Sequence, residues 1–276
     1  MTGPPARRAA VLGSPVAHSL SPVLHRAAYA ELGLRHWTYE AHDVPEAGLG
    51  AFLAGLDGSW AGLSLTMPLK AAVLAFLDRA SPLVESVGAA NTVLLRDGRR
   101  VGENTDVPGM VAALRGAGVE RVERATVLGG GATARSAVAA SAAVTERVTA
   151  YVRTPARAAE LTATAEAVGV RLDVQPWATV SLEAPLVVNA TPAGAADPLA
   201  GSAPNRPGAL FDVLYDPWPT PLITAWRGNG GVVIDGLELL VQQAVLQVGL
   251  MTGADADPAR LGPVLRAAGE HALRMT

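Results

Sequence analysis

A short β-prone run, Ala125-Thr126-Val127-Leu128, leads without a break into Gly129-Gly130-Gly131-Ala132-Thr133-Ala134-Arg135. No other stretch limits the possible folds as sharply. A strand that ends on consecutive glycines and gives way at once to a helix-forming run describes the first half of a βαβ unit. In such a unit the crossover helix returns the chain to a parallel neighbour. The helix is expected to run through Val144, and Val148 to Val152 is the receiving strand. Downstream, Pro155 to Val168 is predicted helical, and Arg171 to Val174, Leu186 to Asn189, Leu210 to Val213 and Gly231 to Asp235 read as further buried strands. Strands alternating with helices at this spacing predict a parallel, doubly wound sheet.

Before Asn104-Thr105-Asp106 the rhythm differs. Ala9 to Leu12, Trp37 to Ala41 and Gly62 to Leu65 read as strands. They are separated by a helix from Ser21 to Gly33 and another from Val44 to Leu56. Ser21 is the expected N-cap of the first, with Pro22 at its first position and Gly33 closing it. Pro68 opens a further helix that ends near Leu77, and Ser81-Pro82 starts a short one. Asp97-Gly98 then separates Asn91–Leu95 from Arg100–Glu103, a strong hairpin signal. The expected fold class is therefore α/β, with a mixed sheet first and a parallel sheet second. Near the end, Leu237, Leu240, Val241, Ala244, Val245 and Val248 repeat at helical spacing.

Composition removes several classes of function. Net charge is −3 and the pI is near 6.0, which gives no electrostatic footprint for nucleic acid or an anionic membrane. Every long apolar stretch is broken by Gly, Pro or charge, so no membrane span is expected. Cysteine is absent and the five histidines lack ligand spacing, so no metal site is expected. Met1 to Arg8 has no apolar core of a secretion signal. These features suit a cytoplasmic enzyme acting on small molecules.

The glycine-rich turn has two readings. It is what a tight βα turn requires, and it is also where backbone N–H groups approach a dinucleotide pyrophosphate at a helix N-terminus. The end of the next strand favours the second. An NAD site would carry an acid there for the ribose 2′-hydroxyl. This chain has Arg153, Thr154 and Arg157 instead, and a guanidinium fork matches a 2′-phosphate. NADP(H) is thus the expected cofactor, held by Gly129, Gly130, Gly131, Ala132, Thr133, Arg153, Thr154 and Arg157. Arg157 is open to a plainer role as a surface charge of the helix.

A second cluster of chemistry lies earlier, in Ser64-Leu65-Thr66-Met67-Pro68-Leu69-Lys70. Ser64 and Thr66 alternate along a strand and so are expected to point the same way. Lys70 falls in a first helical turn, where the dipole disfavours a cation. It is either a solvated surface lysine or a lysine facing a ligand. With Ser19, Ser21, Ser64, Thr66, Asn91 and Asp106, the chain offers hydroxyls, an amide, an acid and a lysine from several βα turns. That set suits a small polyhydroxylated ligand.

Ordered blocks along nearly the whole chain resemble the shikimate/quinate dehydrogenase family. They include Gly13-Ser14-Pro15-Val16-Ala17-His18-Ser19-Leu20-Ser21-Pro22, Leu65-Thr66-Met67-Pro68-Leu69-Lys70, Gly88-Ala89-Ala90-Asn91-Thr92 and Glu103-Asn104-Thr105-Asp106. Asn189-Ala190-Thr191-Pro192, the run from Tyr215 to Leu222 and that from Asp235 to Ala244 continue the match. The resemblance implies NADPH-dependent reduction of 3-dehydroshikimate to shikimate in aromatic amino acid biosynthesis. It implies a substrate domain of residues 1–106 and 237–276, with the C-terminal helices returning to it, and a Rossmann-like NADP domain of residues 107–236. Lys70 and Asp106 match the family's catalytic pair. Ser19, Ser21, Ser64, Thr66, Asn91, Tyr215 and Gln243 match its substrate-binding positions. Thr191, Val213 and Gly236 match positions near the cofactor. Possible partners are the substrate and a second copy in a homodimer. Three positions depart from the family pattern: Ser64 and Val152 stand where asparagine is usual, and Ala132 where glycine is. A quinate-using enzyme of the same family, or a non-catalytic metabolite sensor on the same fold, are the rival readings. Retention of both Lys70 and Asp106 weighs against the sensor.

Overall fold

The structure, a computed structural model, describes residues 5–154 and 156–275. The chain forms two compact units. One comprises the chain up to Glu85, Ala89–Thr105 and Leu240 onward; the other comprises Ser86–Gly88 and Asp106–Leu239.

The first unit opens with β1 (Arg7–Gly13), α1 (Ser21–Glu31), β2 (Trp37–Asp43), α2 (Leu49–Ala54) and β3 (Trp60–Leu65). Next come α3 (Leu69–Ala72), the two-residue β4 (Arg79–Ala80), α4 (Pro82–Val87), β5 (Thr92–Arg96) and β6 (Arg99–Glu103). The sheet order is β2-β1-β3-β5-β6-β4. β1 pairs in parallel with both β2 and β3, whereas β3-β5-β6 is antiparallel, so the sheet is mixed as expected. The hairpin turn has positive φ at Asp97 and Gly98, the backbone twist that matches its flanking strands. Every residue of β3 is buried. The core gathers Leu12, Leu49, Leu63, Leu69, Val73 and Val93 among others. Gly62 is required in β3, because a Cβ there would lie 2.7 Å from the Met251 side chain.

The second unit continues with α5 (Asp106–Gly116), β7 (Ala125–Leu128), α6 (Ala132–Ser141), β8 (Arg147–Val152), α7 (Arg157–Val168) and β9 (Arg171–Pro176). It then runs through β10 (Leu186–Asn189), β11 (Ala209–Asp212), α8 (Pro221–Gly228) and β12 (Val232–Ile234). All its strands are parallel, in the order β12-β11-β10-β7-β8-β9. Its first strand therefore lies between its second and fourth, the doubly wound order with a topological switch beside β7. The chain ends in α9 (Gly236–Thr252) and α10 (Pro258–Met275). In the first unit α10 packs along α1, with Arg260 donating to the Glu31 carboxylate at 2.8 Å. Among the described residues no helix is long and apolar enough to cross a membrane.

Two local expectations shift. The helix expected over Val44–Leu56 is a 3₁₀ turn at Glu46–Gly48 followed by the six residues of α2. The helix expected from Pro68 is the four-residue α3 followed by a 3₁₀ turn, so Lys70 meets a much weaker dipole than a long helix would present. Pro155, the expected start of the α7 helix, lies outside the described residues, as do Met1–Pro4 and Thr276.

Candidate functional site

In the first unit, the polar residues singled out from the sequence arise at the C-terminal ends of β1 and β3, beside β5 and on α9. Thr66 follows β3 directly, its N–H donating to the Leu12 carbonyl at 2.9 Å. A Cβ on Gly13 would fall 2.2 Å from the Thr66 methyl, so the glycine at the end of β1 lets this threonine lie close. Lys70 is half-buried, and its carbonyl accepts from the Ala90 N–H at 2.8 Å. That bond ties α3 to the residue preceding Asn91.

Asn91 is buried, and its orientation is fixed by its neighbours. Its Oδ1 accepts from the Thr105 backbone N–H at 2.8 Å and from the Thr92 hydroxyl at 3.0 Å. Its Nδ2 donates to Thr105 Oγ1 at 2.9 Å and to Gln243 Oε1 at 3.0 Å. Asn91 and Gln243 are thus brought together from positions 152 residues apart. Asn104, next to Thr105, donates to the Ala89 carbonyl at 3.0 Å.

At the β1–α1 turn the expected cap at Ser21 is not what the structure shows. Ser21 is the first helical residue and not the cap; α1 has no side-chain cap. Ser19 instead accepts from the Ser21 N–H at 3.3 Å. Ser19 therefore has the local structural duty, because the helix begins one residue earlier than a cap at Ser21 would allow.

Ser64 does not share the setting of Thr66. It is only 4 % exposed, accepts from the Tyr39 hydroxyl at 2.6 Å and donates to Gln247 Oε1 at 2.8 Å. β3 ends at Leu65, so the strand alternation that would align Ser64 with Thr66 stops between them.

The second unit holds the glycine-rich turn. Gly129 has φ 119°, and a Cβ on it would lie 2.8 Å from the Ala190 carbonyl oxygen. A Cβ on Gly130 would lie 2.8 Å from the Arg157 Cβ. Packing explains both. Gly131 is different: it is exposed, and a Cβ there would meet nothing within 4 Å. It stands at the N-cap of α6 with no side-chain cap, so the first turn of this helix, which includes Ala132 and Thr133, faces the open space over Gly131 with its N-terminal end. Arg153, Thr154 and Arg157 are exposed at the end of β8 and the start of α7. Beside them a cavity of about 500 Å³ is lined by Val152, Arg153, Ala158, Pro176 and Trp177 among others. The donor set and the open space over Gly131 fit a dinucleotide with a 2′-phosphate.

Arg157 donates to Glu160 at 3.2 Å, and the same carboxylate pairs with the buried Arg135. Burial lowers the Arg135 pKa, with Glu160 opposing the effect. Arg135 Nη2 also donates to the Gly88 carbonyl at 3.0 Å.

Thr191 and Val213 sit on a buried network at the ends of β10 and β11. Asp212 Oδ1 accepts from Asn189 Nδ2 at 3.0 Å and from the Leu214 N–H at 3.1 Å, while Oδ2 accepts from the Thr220 hydroxyl at 2.9 Å. Thr191 donates to Asn189 Oδ1 at 2.7 Å, and the Val213 N–H to the Asn189 carbonyl at 3.1 Å. Burial raises the Asp212 pKa, and these hydrogen bonds partly offset it. Gly236 has a packing reason of its own, since a Cβ there would fall 2.3 Å from the Val213 carbonyl oxygen. Tyr215 follows this network and is half-buried. Asp106, the first residue of α5, is 1 % exposed.

His25, Tyr39, Gln247, Arg135, Glu160 and Asp212 are not among the residues expected from the sequence to serve the site. Gln247 had a signal: it lies four residues beyond Gln243, on the same helical face and within an apolar stripe.

Comparison with known proteins adds the following. The family profile described as the shikimate dehydrogenase substrate binding domain matches residues 11–93. A shikimate dehydrogenase (NADP(+)) of Thermus thermophilus is 40% identical over 265 residues, covering 95% of this chain and 98% of its own. The crystal structure of Mycobacterium tuberculosis shikimate dehydrogenase superposes with a TM-score of 0.87 at 38% identity, covering 95% of this chain and 99% of that one. A Thermus thermophilus shikimate 5-dehydrogenase in complex with NADP(H) and shikimate superposes with a TM-score of 0.81 at 40% identity, over 95% and 99% of the two chains.

Proposed function

The chain belongs to the shikimate dehydrogenase family, and on that footing we propose that it catalyses the reversible NADPH-dependent reduction of 3-dehydroshikimate to shikimate, within aromatic amino acid biosynthesis. Within the fold, the observation that carries this reading is the 3.0 Å hydrogen bond from Asn91 to Gln243. It joins two amides from distant parts of the sequence, one of them half-buried, and Ser19, Ser21 and Thr66 of the same unit supply the hydroxyls of the proposed set. A polyhydroxylated ring needs such a set of donors and acceptors. On this reading the first unit, with α9 and α10, binds the substrate, and Ser64 supports the site from within the core.

The second unit holds the cofactor. Gly130, Gly131 and Ala132 present backbone N–H groups to the pyrophosphate, with Thr133 in the same helical turn; Gly129, whose N–H donates to the Tyr151 carbonyl at 3.0 Å, serves the tight turn itself. Arg153, Thr154 and Arg157 take the 2′-phosphate. Thr191 and Val213, fixed by the Asn189–Asp212 network, line the nicotinamide end together with Tyr215, and Gly236 keeps Val213 in place by its lack of a side chain.

When bound, NADPH supplies the hydride that reduces the ring ketone. Lys70 gives a proton to the ketone oxygen as it becomes a hydroxyl, and takes it back in the oxidation of shikimate. Asp106 accepts a hydrogen bond from that hydroxyl and orients it. A positioned proton donor of this kind is worth about 10²–10⁴-fold in rate. The cytoplasm, which holds the NADPH pool, is the matching location.

A panel of substrates and cofactors tests the assignment. NADPH oxidation is followed with 3-dehydroshikimate, and NADP⁺ and NAD⁺ reduction with shikimate and with quinate. The reading requires the shikimate–NADP pair to give the highest kcat/KM. Higher kcat/KM with quinate, or with NAD⁺, would overturn it.

A further inference from the structure

A single chain of hydrogen bonds runs under the residues proposed to bind substrate, and its direction can be worked out from one fixed point. The Thr105 backbone N–H can only donate, and it meets Asn91 Oδ1 at 2.8 Å. That fixes which end of the Asn91 amide is oxygen. The Thr92 hydroxyl donates to the same oxygen at 3.0 Å, so its own oxygen is left to accept, and it accepts from Gln247 Nε2 at 2.9 Å. Gln247 Oε1 is then the acceptor end. It receives the Ser64 hydroxyl at 2.8 Å, and Ser64 in turn accepts from Tyr39 at 2.6 Å. His25 Nε2 lies 3.2 Å from the same Oε1, which makes that nitrogen the protonated one.

On the other side, Asn91 Nδ2 is left as the donor to Gln243 Oε1 at 3.0 Å. The amide of Gln243 is consequently oriented with its –NH2 end available to a ligand. Gln247 is where the two halves join. It is 3 % exposed, and both ends of its amide are engaged, with His25 of α1, Ser64 of β3 and Thr92 of β5. A buried polar group in such a network is costly unless every partner is present.

We infer that Gln247 is a positioning residue for the substrate site: by donating to the Thr92 hydroxyl at 2.9 Å and to the Asn91 carbonyl at 3.4 Å it holds the start of β5 against α9, so that Asn91, whose polarity the Thr105 N–H sets, stays in place to orient the donor end that Gln243 offers to a substrate hydroxyl. The inference rests on the shikimate reading above. It gives Ser64, which departs from the family pattern, a role as partner of Gln247 and not as a direct ligand contact.

The test uses the full-length enzyme with Gln247→Leu, Thr92→Val and the double variant, with KM for shikimate and for NADP⁺ and kcat measured separately. Both single variants break the Gln247–Thr92 bond, and that loss is expected to raise the shikimate KM about 3- to 10-fold in each, with the NADP⁺ KM unchanged within about twofold. The double variant should be no worse than the more impaired single one, because both substitutions break the same chain. Thermal midpoints are recorded in parallel; a purely structural role would lower them and leave the shikimate KM untouched, and that result would overturn the inference. Parallel rises in both KM values, or effects that multiply in the double variant, would also overturn it. Should Gln247→Leu fail to fold, Thr92→Val, which removes only a hydroxyl, decides by the same criterion. If the native enzyme does not oxidise shikimate, the functional reading fails instead, so the two failures are distinguishable.

Discussion

His25 makes the native state sensitive to acid in a defined window. The residue is fully buried on α1, its ring stacked on Tyr39 at 3.9 Å between centroids with planes 17° apart. Nδ1 has no hydrogen-bond partner among the described residues. Burial lowers its pKa from 6.5 to about 3, with the Gln247 hydrogen bond opposing the shift. Between these two values the unfolded chain binds a proton at this position and the native protein does not. Stability therefore rises with pH through the window, and the contribution is lost as pH falls from 6.5 towards 3. Each pH unit in that interval is worth about 1.4 kcal/mol. At about pH 5 the cost to the native state is roughly 2 kcal/mol, and by about pH 3 it is on the order of 5 kcal/mol. Urea unfolding followed by circular dichroism, at about pH 7.5 and about pH 5, measures it in the native protein and in His25→Gln, which keeps an N–H donor but cannot titrate. The native protein should lose roughly 2 kcal/mol more than the variant between the two conditions. Equal losses in the two proteins would show that His25 is not held neutral by burial.

Other substitutions separate packing from ligand contact. Gly131→Ala should leave the thermal midpoint unchanged, since its Cβ meets nothing within 4 Å, yet weaken NADP⁺ binding in a fluorescence titration; unchanged binding would remove Gly131 from the cofactor site. Arg153→Ala should raise the KM for NADPH about tenfold or more while leaving NADH nearly unaffected, as expected for loss of a charge-assisted contact to the 2′-phosphate; equal effects on both cofactors would contradict that role. Asp212→Asn places an amide where a carboxylate accepts three hydrogen bonds, and should cost roughly 1–3 kcal/mol in urea unfolding. A loss below about 0.5 kcal/mol would mean the network contributes little.

The architecture was legible wherever a local pattern dictates it. The run Ala125–Leu128 and its glycines give β7 and the turn into α6, and Asp97-Gly98 gives the β5–β6 hairpin, because these features depend on backbone conformations that few residues adopt. Helix starts were less legible. Ser21 and Pro22 read as cap and first position, but Ser19 supplies the hydroxyl acceptor two residues earlier. The polar core was not legible at all. His25 and Gln247 are separated by 222 residues, and Ser64 and Gln247 by 183; only the folded chain shows that they share one hydrogen-bond chain. Ser64 illustrates the point, since its strand position suggested a ligand contact and its burial gives it an internal partner on each side.

The central claim is most directly tested by turnover of 3-dehydroshikimate with NADPH in the native enzyme and in Lys70→Ala, with NADPH affinity measured separately by fluorescence. The account predicts robust turnover in the native enzyme, a fall of about 10²–10⁴-fold in kcat for the variant, and little change in NADPH affinity. Near-native turnover in Lys70→Ala would contradict the assignment of the proton donor, and no turnover of 3-dehydroshikimate by the native enzyme would contradict the function itself.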